Sequence, residues 1–516
     1  MTQPPLGLVG YLRYFWRQLT SMRTALFLLL LLAIAAIPGS LVPQVSSDPN
    51  GVLQYKRNNP TLAPILDGLQ LFTTYTSVWF SAIYLLLFIS LIGCVIPRVK
   101  HHLDALRSKP PKTPARLARL EGYTSRDVST DVATAVGTAA TLLKRLGYRT
   151  QIYPSAESGE AANSVSAERG YLRETGNLVF HTALIGVLVS AGIGGGFGYS
   201  GQRVVVEGQA FVNSRANYDS FSAGRFFTDA ALEPYAIALD SFKVRYEEQN
   251  LSALGLPVDY TARVTSTVRG GDPTPATIKV NEPLTVASTQ VYLLGNGYAP
   301  IVTVRDPQGT VVFSQPVAFL PQDGNLTSLG IIKVPDGLEK QIGMRGFLYP
   351  TAVNLASGAL ASNYPDLLNP TVTLEVYTGD LGLDSGRSIN AYSLNTDALT
   401  KIAGRNAAAP TIVLAPGDTV ELPDGLGSIK LESIPRFASL EVHSAPSQGW
   451  VLLFSVLVVA GLVTSLFIPR RRMWVKAVTT DAGVTIEYAA LARGDDPTLT
   501  AAVADLADRH VEQLKA

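Results

Sequence analysis

Residues 178–197 read LVFHTALIGVLVSAGIGGGF, a run of 20 residues without Asp, Glu, Lys or Arg. A bilayer core about 30 Å thick needs about 20 mostly apolar residues in a helix, which satisfies its own backbone polar groups. We therefore predict that this run crosses a membrane. It carries one titratable side chain, His181, within its apolar length.

Three further stretches meet the same test, namely residues 24–42, 78–96 and 450–468. The chain of 516 residues is 47% hydrophobic and only 16% charged, which is too apolar for an ordinary soluble enzyme of this length. The sequence therefore predicts an α-helical polytopic membrane protein with four transmembrane helices.

The distribution of Lys and Arg predicts the orientation, because cytoplasmic flanks carry an excess of both. These residues precede the first and third spans and follow the second and fourth: Arg13, Arg17, Arg23, Arg98, Lys100, Arg107, Lys109, Lys112, Arg169, Arg173, Arg470, Arg471, Arg472 and Lys476. We expect a multi-pass protein of the plasma membrane with both termini in the cytoplasm. Trp79 and Trp450 lie where outer-interface anchors are expected.

An alternative interpretation makes the first apolar block a cleaved signal peptide, because Ala33-Ile34-Ala35 follows a basic start and an apolar core. The apolar run nevertheless continues to Ile37, after which Pro38-Gly39 is expected to break the helix. Cleavage would leave the orientation of the other spans unchanged.

The spans divide the rest of the chain into five predicted segments. They are a cytoplasmic N-terminus (1–23), an outer loop (43–77), a cytoplasmic segment with an α/β part (97–175), an extracytoplasmic β-rich domain (198–447) and a cytoplasmic C-terminal part (469–516).

The β-rich prediction rests on short alternating apolar runs. Residues 235–239 alternate, and residues 242–246 resume in the opposite phase, as a strand with a bulge would. Residues 302–304 and 311–313 flank the turn sequence 306–309 and predict a hairpin. A sandwich or barrel-like domain is the best interpretation.

The small α/β domain is predicted from pieces on both sides of the large one. Residues 132–146 keep helical spacing, residues 474–478 and 484–488 form a possible hairpin through 481–483, and a helix should start at Asp496. Each piece is too small to bury a core alone. We expect residues 120–175 and 473–514 to pack together.

His181 is the residue that could carry chemistry. An ionisable side chain inside a span is a functional candidate, and imidazole is a common axial ligand of haem iron. The alternative is a structural histidine bonded to a neighbouring helix backbone or to a hydroxyl such as that of Ser190. His181 lies about two turns from Glu174, in the cytoplasmic half of the bilayer, and a second imidazole ligand would have to come from another chain.

The other histidines have plainer interpretations. His101 and His102 are expected to be solvated near lipid headgroups, His443 to be structural, and His510 to pack at the edge of a helix. The single cysteine, Cys94, excludes an intrachain disulfide framework and a CxxC pair. A net charge of +1 gives no basic surface for nucleic acid.

Several segments resemble the ResB family of cytochrome c biogenesis proteins. They are Ser21 to Ala25 running into Ile37 to Ser40, Ser166 to Arg173, Gly176 to His181, Val280 to Leu284, Tyr292 to Gly295 and Gly297 to Pro300. The resemblance extends over nearly the whole chain.

The resemblance implies a subunit of a membrane cytochrome c synthase of the system II type, which moves haem outward and attaches it to CxxCH of apocytochrome c. It implies His181 as a candidate haem ligand and a ResC- or CcsA-type partner that carries the WWD motif. Thiol-reducing proteins are a further partner class. Since the four tryptophans here are scattered, we expect a non-catalytic or co-catalytic subunit.

The alternative from another class is a membrane-anchored sensor or scaffold whose outer β-domain binds a ligand. In that case His181 would be replaceable by Ala without loss of function. A transporter acting alone fits less well, because the chain has no inverted repeat.

Overall fold

The computed structural model describes residues 7–120, 122–154, 163–250, 252–385, 390–480 and 483–515. The chain forms two compact units. One combines residues 1–192 with 447–516, and the other consists of residues 193–446.

Within the described residues, the α-helices are α1 (Leu8–Leu19), α2 (Met22–Leu41), α3 (Pro49–Asn58), α4 (Ala63–Gly68), α5 (Val78–Arg107), α6 (Val132–Arg145), α7 (Leu172–Phe197), α8 (Gln448–Phe467) and α9 (Leu499–Lys515).

The strands are β1 (Thr124–Val128), β2 (Arg149–Tyr153), β3 (Ser164–Arg169), β4 (Tyr199–Val206), β5 (Ala210–Val212), β6 (Ser220–Ala223), β7 (Tyr235–Tyr246), β8 (Pro257–Val268), β9 (Thr274–Lys279), β10 (Leu284–Val286), β11 (Thr289–Tyr298), β12 (Ile301–Arg305), β13 (Val311–Pro316), β14 (Leu320–Pro321), β15 (Ser328–Val334), β16 (Ile342–Tyr349), β17 (Ala352–Asn354), β18 (Leu360–Ser362), β19 (Thr371–Thr378), β20 (Thr400–Ala403), β21 (Ile412–Leu414), β22 (Thr419–Glu421), β23 (Ser428–Ser433), β24 (Arg436–Ser444), β25 (Arg471–Thr480) and β26 (Gly483–Ala492).

Four helices, α2, α5, α7 and α8, are long and apolar enough to cross a membrane, which confirms the four predicted apolar helices. The expected break at Pro38 was wrong, because α2 continues to Leu41. Likewise, α5 passes through Pro97 and ends at Arg107. Proline removes only one backbone hydrogen bond, and neighbouring helices can stabilise the turn around it.

Helices α7 and α8 approach each other closely at two glycines. A Cβ atom at Gly461 would lie 2.6 Å from the backbone nitrogen of Phe180 and 2.7 Å from the carbonyl oxygen of Gly176. In lipid, the hydrophobic effect does not drive helices together, and van der Waals packing holds them instead. Small residues such as these glycines allow the backbones to approach closely enough for that packing. Helix α5 joins them through Tyr84, whose hydroxyl donates to the Leu188 carbonyl oxygen at 2.5 Å.

The first unit also contains a small α/β domain. Its antiparallel sheet has the order β1-β26-β25-β3-β2, so the chain returns from α8 to place β25 and β26 in the middle. Helices α6 and α9 cover one face with a core that includes Leu143, Val475, Ile486 and Leu506. The hairpin of β25 and β26 is longer than predicted, and its turn residues Asp481 and Ala482 lie outside the described residues.

His510 is fully buried in this core, so its predicted place at a helix edge was wrong. Its Nε2 atom lies 3.0 Å from the Ala135 carbonyl oxygen and its Nδ1 atom 2.8 Å from the Tyr488 hydroxyl. The histidine therefore donates from Nε2 and accepts at Nδ1, which satisfies both ring nitrogens between α6 and β26. Helix α9 begins at Leu499, three residues after Asp496. The Asp496 side chain accepts a hydrogen bond from the backbone nitrogen of Thr498.

The second unit is β-rich, as predicted, and its described sheets are antiparallel. One core joins the sheet β13-β12-β23-β22 to the sheet that contains β15, β16 and β19. A second core joins β5-β7-β8-β9 to β10-β11-β24-β4-β6. The predicted bulge is present as a register shift in β7 between Leu239 and Ser241. The predicted hairpin is formed by β12 and β13.

The two ends of the β-rich unit lie side by side. Strand β4 begins directly after α7, and β24 ends shortly before α8. These strands pair antiparallel, with Tyr199 opposite Ser444. The chain therefore enters and leaves the unit through neighbouring strands.

Replacing Gly461 with Ala should lower the melting temperature of the detergent-solubilised chain, because the added methyl group meets backbone atoms. We expect a loss of roughly 1–3 kcal/mol in stability. Gly449→Ala, in the same helix, is the matched control because a Cβ there meets nothing within 4 Å. Thermal unfolding measures both variants, and equal melting temperatures would contradict the close contact.

Candidate functional site

His181 lies on α7, nine residues after its first residue, and its side chain is half-buried. Its Nδ1 atom is 2.8 Å from the carbonyl oxygen of Asn177, one turn earlier in the same helix. Since a carbonyl oxygen only accepts, Nδ1 carries the proton and donates. In a neutral imidazole, this bond selects the tautomer whose Nε2 lone pair is available to a ligand.

The described contacts of the His181 ring are with its own helix. Its hydrogen bond goes to its own helix, and no described residue forms a hydrogen bond with Nε2. Phe180 packs edge-on to the imidazole, with ring centroids 5.0 Å apart. The ring is therefore oriented by a backbone bond and an aromatic neighbour, while its second nitrogen has no described partner.

His181 shares a helix face with Glu174. The two residues are seven positions apart, which in an α-helix is close to two full turns, or about 10 Å along the axis. Glu174 lies in the first turn of α7. Groups that surround Glu174 therefore lie on the face of α7 that leads to His181.

A cluster of buried charges surrounds the start of α7. Arg470 donates to one oxygen of Glu168 from Nε at 3.1 Å and from Nη2 at 2.6 Å, and Arg472 donates to the same oxygen at 3.1 Å. The Tyr171 hydroxyl donates to the other oxygen at 2.7 Å. Burial opposes ionisation of Glu168, but these bonds prevail and hold its pKa below the ordinary value.

Glu174 extends the same cluster. Its carboxylate pairs with Arg470 and Arg493, so Arg470 lies between two acidic side chains. His102 also contacts Glu174 at 3.4 Å, and its Nε2 atom lies 3.0 Å from the Thr175 hydroxyl. The expectation that His102 is solvated was wrong, because the continuation of α5 beyond Pro97 packs it against α7 with 6% exposure.

The remaining predicted candidates form no described contact with Glu168, Glu174 or Arg470. His101 is exposed next to this cluster, and His443 is exposed on β24. Cys94 bonds to the carbonyl oxygen of Thr20. From the sequence, Arg470 and Arg472 were expected only to mark the cytoplasmic end of the fourth apolar helix. No local pattern connects them with Glu168, which lies 302 residues before Arg470.

Replacing Glu168 with Gln should destabilise the first unit by about 3 kcal/mol, because Arg470 loses one of its two buried partners. Asp508→Asn is the matched control, since Asp508 forms an exposed pair with Arg126 that contributes about 0–1 kcal/mol. Denaturant unfolding of the full chain measures both losses. Similar small losses would show that the buried cluster does not hold the unit together.

The pH dependence of stability provides a second measurement on the same variants. Because the folded pKa of Glu168 lies below its ordinary value of 4.5, its contribution is complete above that value and is lost as pH falls through the folded pKa. We expect the wild type to lose more stability than Glu168→Gln below about pH 4.5. Parallel curves of stability against pH for the wild type and Glu168→Gln would contradict the lowered pKa of Glu168.

Comparison with known proteins identifies the relatives of the chain. A family model described as the ResB-like family matches residues 22–504. The cytochrome c biogenesis protein CcsB of Prochlorococcus marinus (strain AS9601) is 29% identical over 218 residues, which cover 39% of this chain and 47% of that protein. The protein of the same name from Paulinella chromatophora is 27% identical over 292 residues, covering 54% and 62%.

A third relative, CcsB of Synechococcus sp. (strain RCC307), is 26% identical over 329 residues, covering 62% of this chain and 68% of that protein. The match spans about half the length of the first relative. The family model, by contrast, covers most of this chain. The chain therefore belongs to the ResB family.

Proposed function

We propose that the chain is a subunit of a membrane cytochrome c synthase complex of the system II type. In this proposal the complex conveys haem across the membrane and supports its covalent attachment to CxxCH of apocytochrome c. Support comes from the family and from relatives named for cytochrome c biogenesis. The observation that carries the proposal is that Nδ1 of His181 donates to the Asn177 carbonyl oxygen, while its Nε2 atom has no described partner.

His181 fits the role of an axial ligand to haem iron. A haem-binding imidazole must offer one unprotonated nitrogen, and a backbone bond to the other nitrogen fixes the ring and increases its basicity. The bond from Nδ1 to Asn177 meets both requirements. Haem supplies the iron and the vinyl groups that react with the thiols of apocytochrome c, while this chain orients the imidazole.

A partner chain should provide the second ligand and the covalent chemistry. The chain has five histidines, and the four besides His181 are placed by our proposed topology at the cytoplasmic or outer side. We propose a ResC- or CcsA-type partner whose WWD motif presents haem at the outer face. The His181 side chain is only partly buried in this single chain, which leaves room for such a partner.

The proposed topology follows from the Lys and Arg distribution and the four apolar helices. The chain lies in the plasma membrane with both termini and the small α/β domain in the cytoplasm. The β-rich unit is extracytoplasmic. The chain is then a non-catalytic or co-catalytic subunit, because its proposed contribution is a ligand and a scaffold.

Replacing His181 with Ala should remove most of the haem that co-purifies with the complex and abolish production of c-type cytochromes. The absorption spectrum of the purified complex and haem staining of cell extracts measure the two effects. His443→Ala is the matched control, because His443 is exposed on a strand of the β-rich unit and lies outside α7. It should retain both haem and cytochromes.

Normal haem content and cytochrome production in His181→Ala would contradict the ligand role and favour the sensor or scaffold function. His181→Gln distinguishes ligation from packing, since it keeps a polar side chain of similar length that lacks an imidazole. Retained haem in His181→Gln would also count against ligation.

A further inference from the structure

A cavity of about 710 Å³ lies where the last turns of α5 meet the start of α7 and the ends of β25 and β26. This volume is within the usual range of about 300–1,000 Å³ for small-molecule sites. The cavity belongs entirely to the first unit. Its wall includes Glu168, Glu174 and Arg470 of the buried charge cluster.

The lining carries four cationic side chains, those of Lys109, Arg470, Arg472 and Arg493, and three carboxylates. Two of the carboxylates, Glu168 and Glu174, are already paired within the cluster. Arg470 uses all its donor groups on them. The third carboxylate, Asp104, also lines the cavity, and the positive charge available to a ligand comes from Lys109, Arg472 and Arg493.

Arg472 and Arg493 retain free donors at the cavity. Arg472 contacts Glu168 through Nε alone, and its terminal amino groups have no partner among the described residues. Arg493 uses Nη1 for Glu174, and its side chain is 69% exposed. Lys109 is exposed and unpaired within the described part of the chain. Such guanidinium groups bind carboxylates and phosphates through paired N–H donors.

An apolar strip adjoins these cations. Leu491, which is 45% exposed, lines the cavity together with Ala105, Pro111 and Ala492. Charged donors next to an apolar surface match a ligand with an acidic end and an apolar body. Glu174 connects the cavity to His181, because the two residues share a face of α7 about 10 Å apart.

We infer that this cavity binds the propionate carboxylates of haem on its way to His181, with Arg472 and Arg493 as the principal cations and Lys109 as a third. The inference rests on the proposed function, since it concerns the same cargo. A phospholipid headgroup offers similar oxyanion chemistry. The observations favour haem because Glu174, which lines the cavity, lies on the same face of α7 as His181.

The test compares haem with haem dimethyl ester, in which both propionates are esterified and uncharged. The full chain, co-purified with its membrane partner, is placed in nanodiscs of uncharged lipid, and both probes are titrated by absorption. The wild type should bind haem more tightly than the ester. Arg472→Gln/Arg493→Gln should lose about tenfold in haem affinity for each lost charged contact and bind both probes alike.

Arg126→Gln is the matched control, because Arg126 is exposed in the same domain and pairs with Asp508 away from the cavity. It should discriminate as the wild type does. Arg493→Gln/Lys109→Gln provides a second variant, in case the first double variant does not fold, because it keeps Tyr171, Arg470 and Arg472 as partners of Glu168. It should also lose discrimination.

Equal affinity of the wild type for haem and its ester would overturn the inference, as would unchanged discrimination in both double variants. If the double variants purified in detergent lost the phosphatidylglycerol that native mass spectrometry detects on the wild-type complex, and their discrimination were unchanged, the cavity would be assigned to lipid and the inference overturned. His181→Ala separates this inference from the proposed function. It should change the haem spectrum but keep the preference for haem over its ester.

Discussion

The position of Arg470 between Glu168 and Glu174 is the constraint on which the rest of the first unit depends. A buried guanidinium without partners would be strongly unfavourable, so the two carboxylates must meet it. Glu168 lies near the end of β3, Glu174 lies in the first turn of α7, and Arg470 follows α8. One residue thereby joins the start of one membrane helix to the end of another.

The neighbouring structure is consistent with this junction. Strand β25 pairs with β3 immediately beside it, with Arg472 opposite Glu168. Further along α7, Gly176 and Gly461 allow α7 and α8 to pack closely. Because α7 is held at its first turn and along its length, His181 is kept at a fixed distance of about two turns from Glu174. In the proposed ligand role, an imidazole fixed in position and orientation can meet haem iron with little reorganisation.

Much of this fold could be predicted from local patterns. The four apolar helices follow from runs such as residues 178–197, and the bulge in β7 follows from the change of phase after Leu239. The burial of His102 and the central place of β25 could not be predicted. Both depend on contacts between residues far apart in sequence, which no window of local periodicity records.

The candidate site shows the same division. His181 could be identified because it is the only titratable residue in its apolar run. Its tautomer depends on the distance to the Asn177 carbonyl oxygen, and the cationic cavity depends on strand pairing across more than 300 residues. Neither property is encoded in the spacing of residue types.

The most direct measurement is pulsed electron paramagnetic resonance on ferric haem bound to the complex, with ¹⁵N-histidine incorporated only into this chain. We predict hyperfine coupling from one ¹⁵N-imidazole ligand in the wild type and its loss in His181→Ala. Axial coupling from unlabelled nitrogen alone would show that the partner supplies both ligands and would contradict haem ligation by His181.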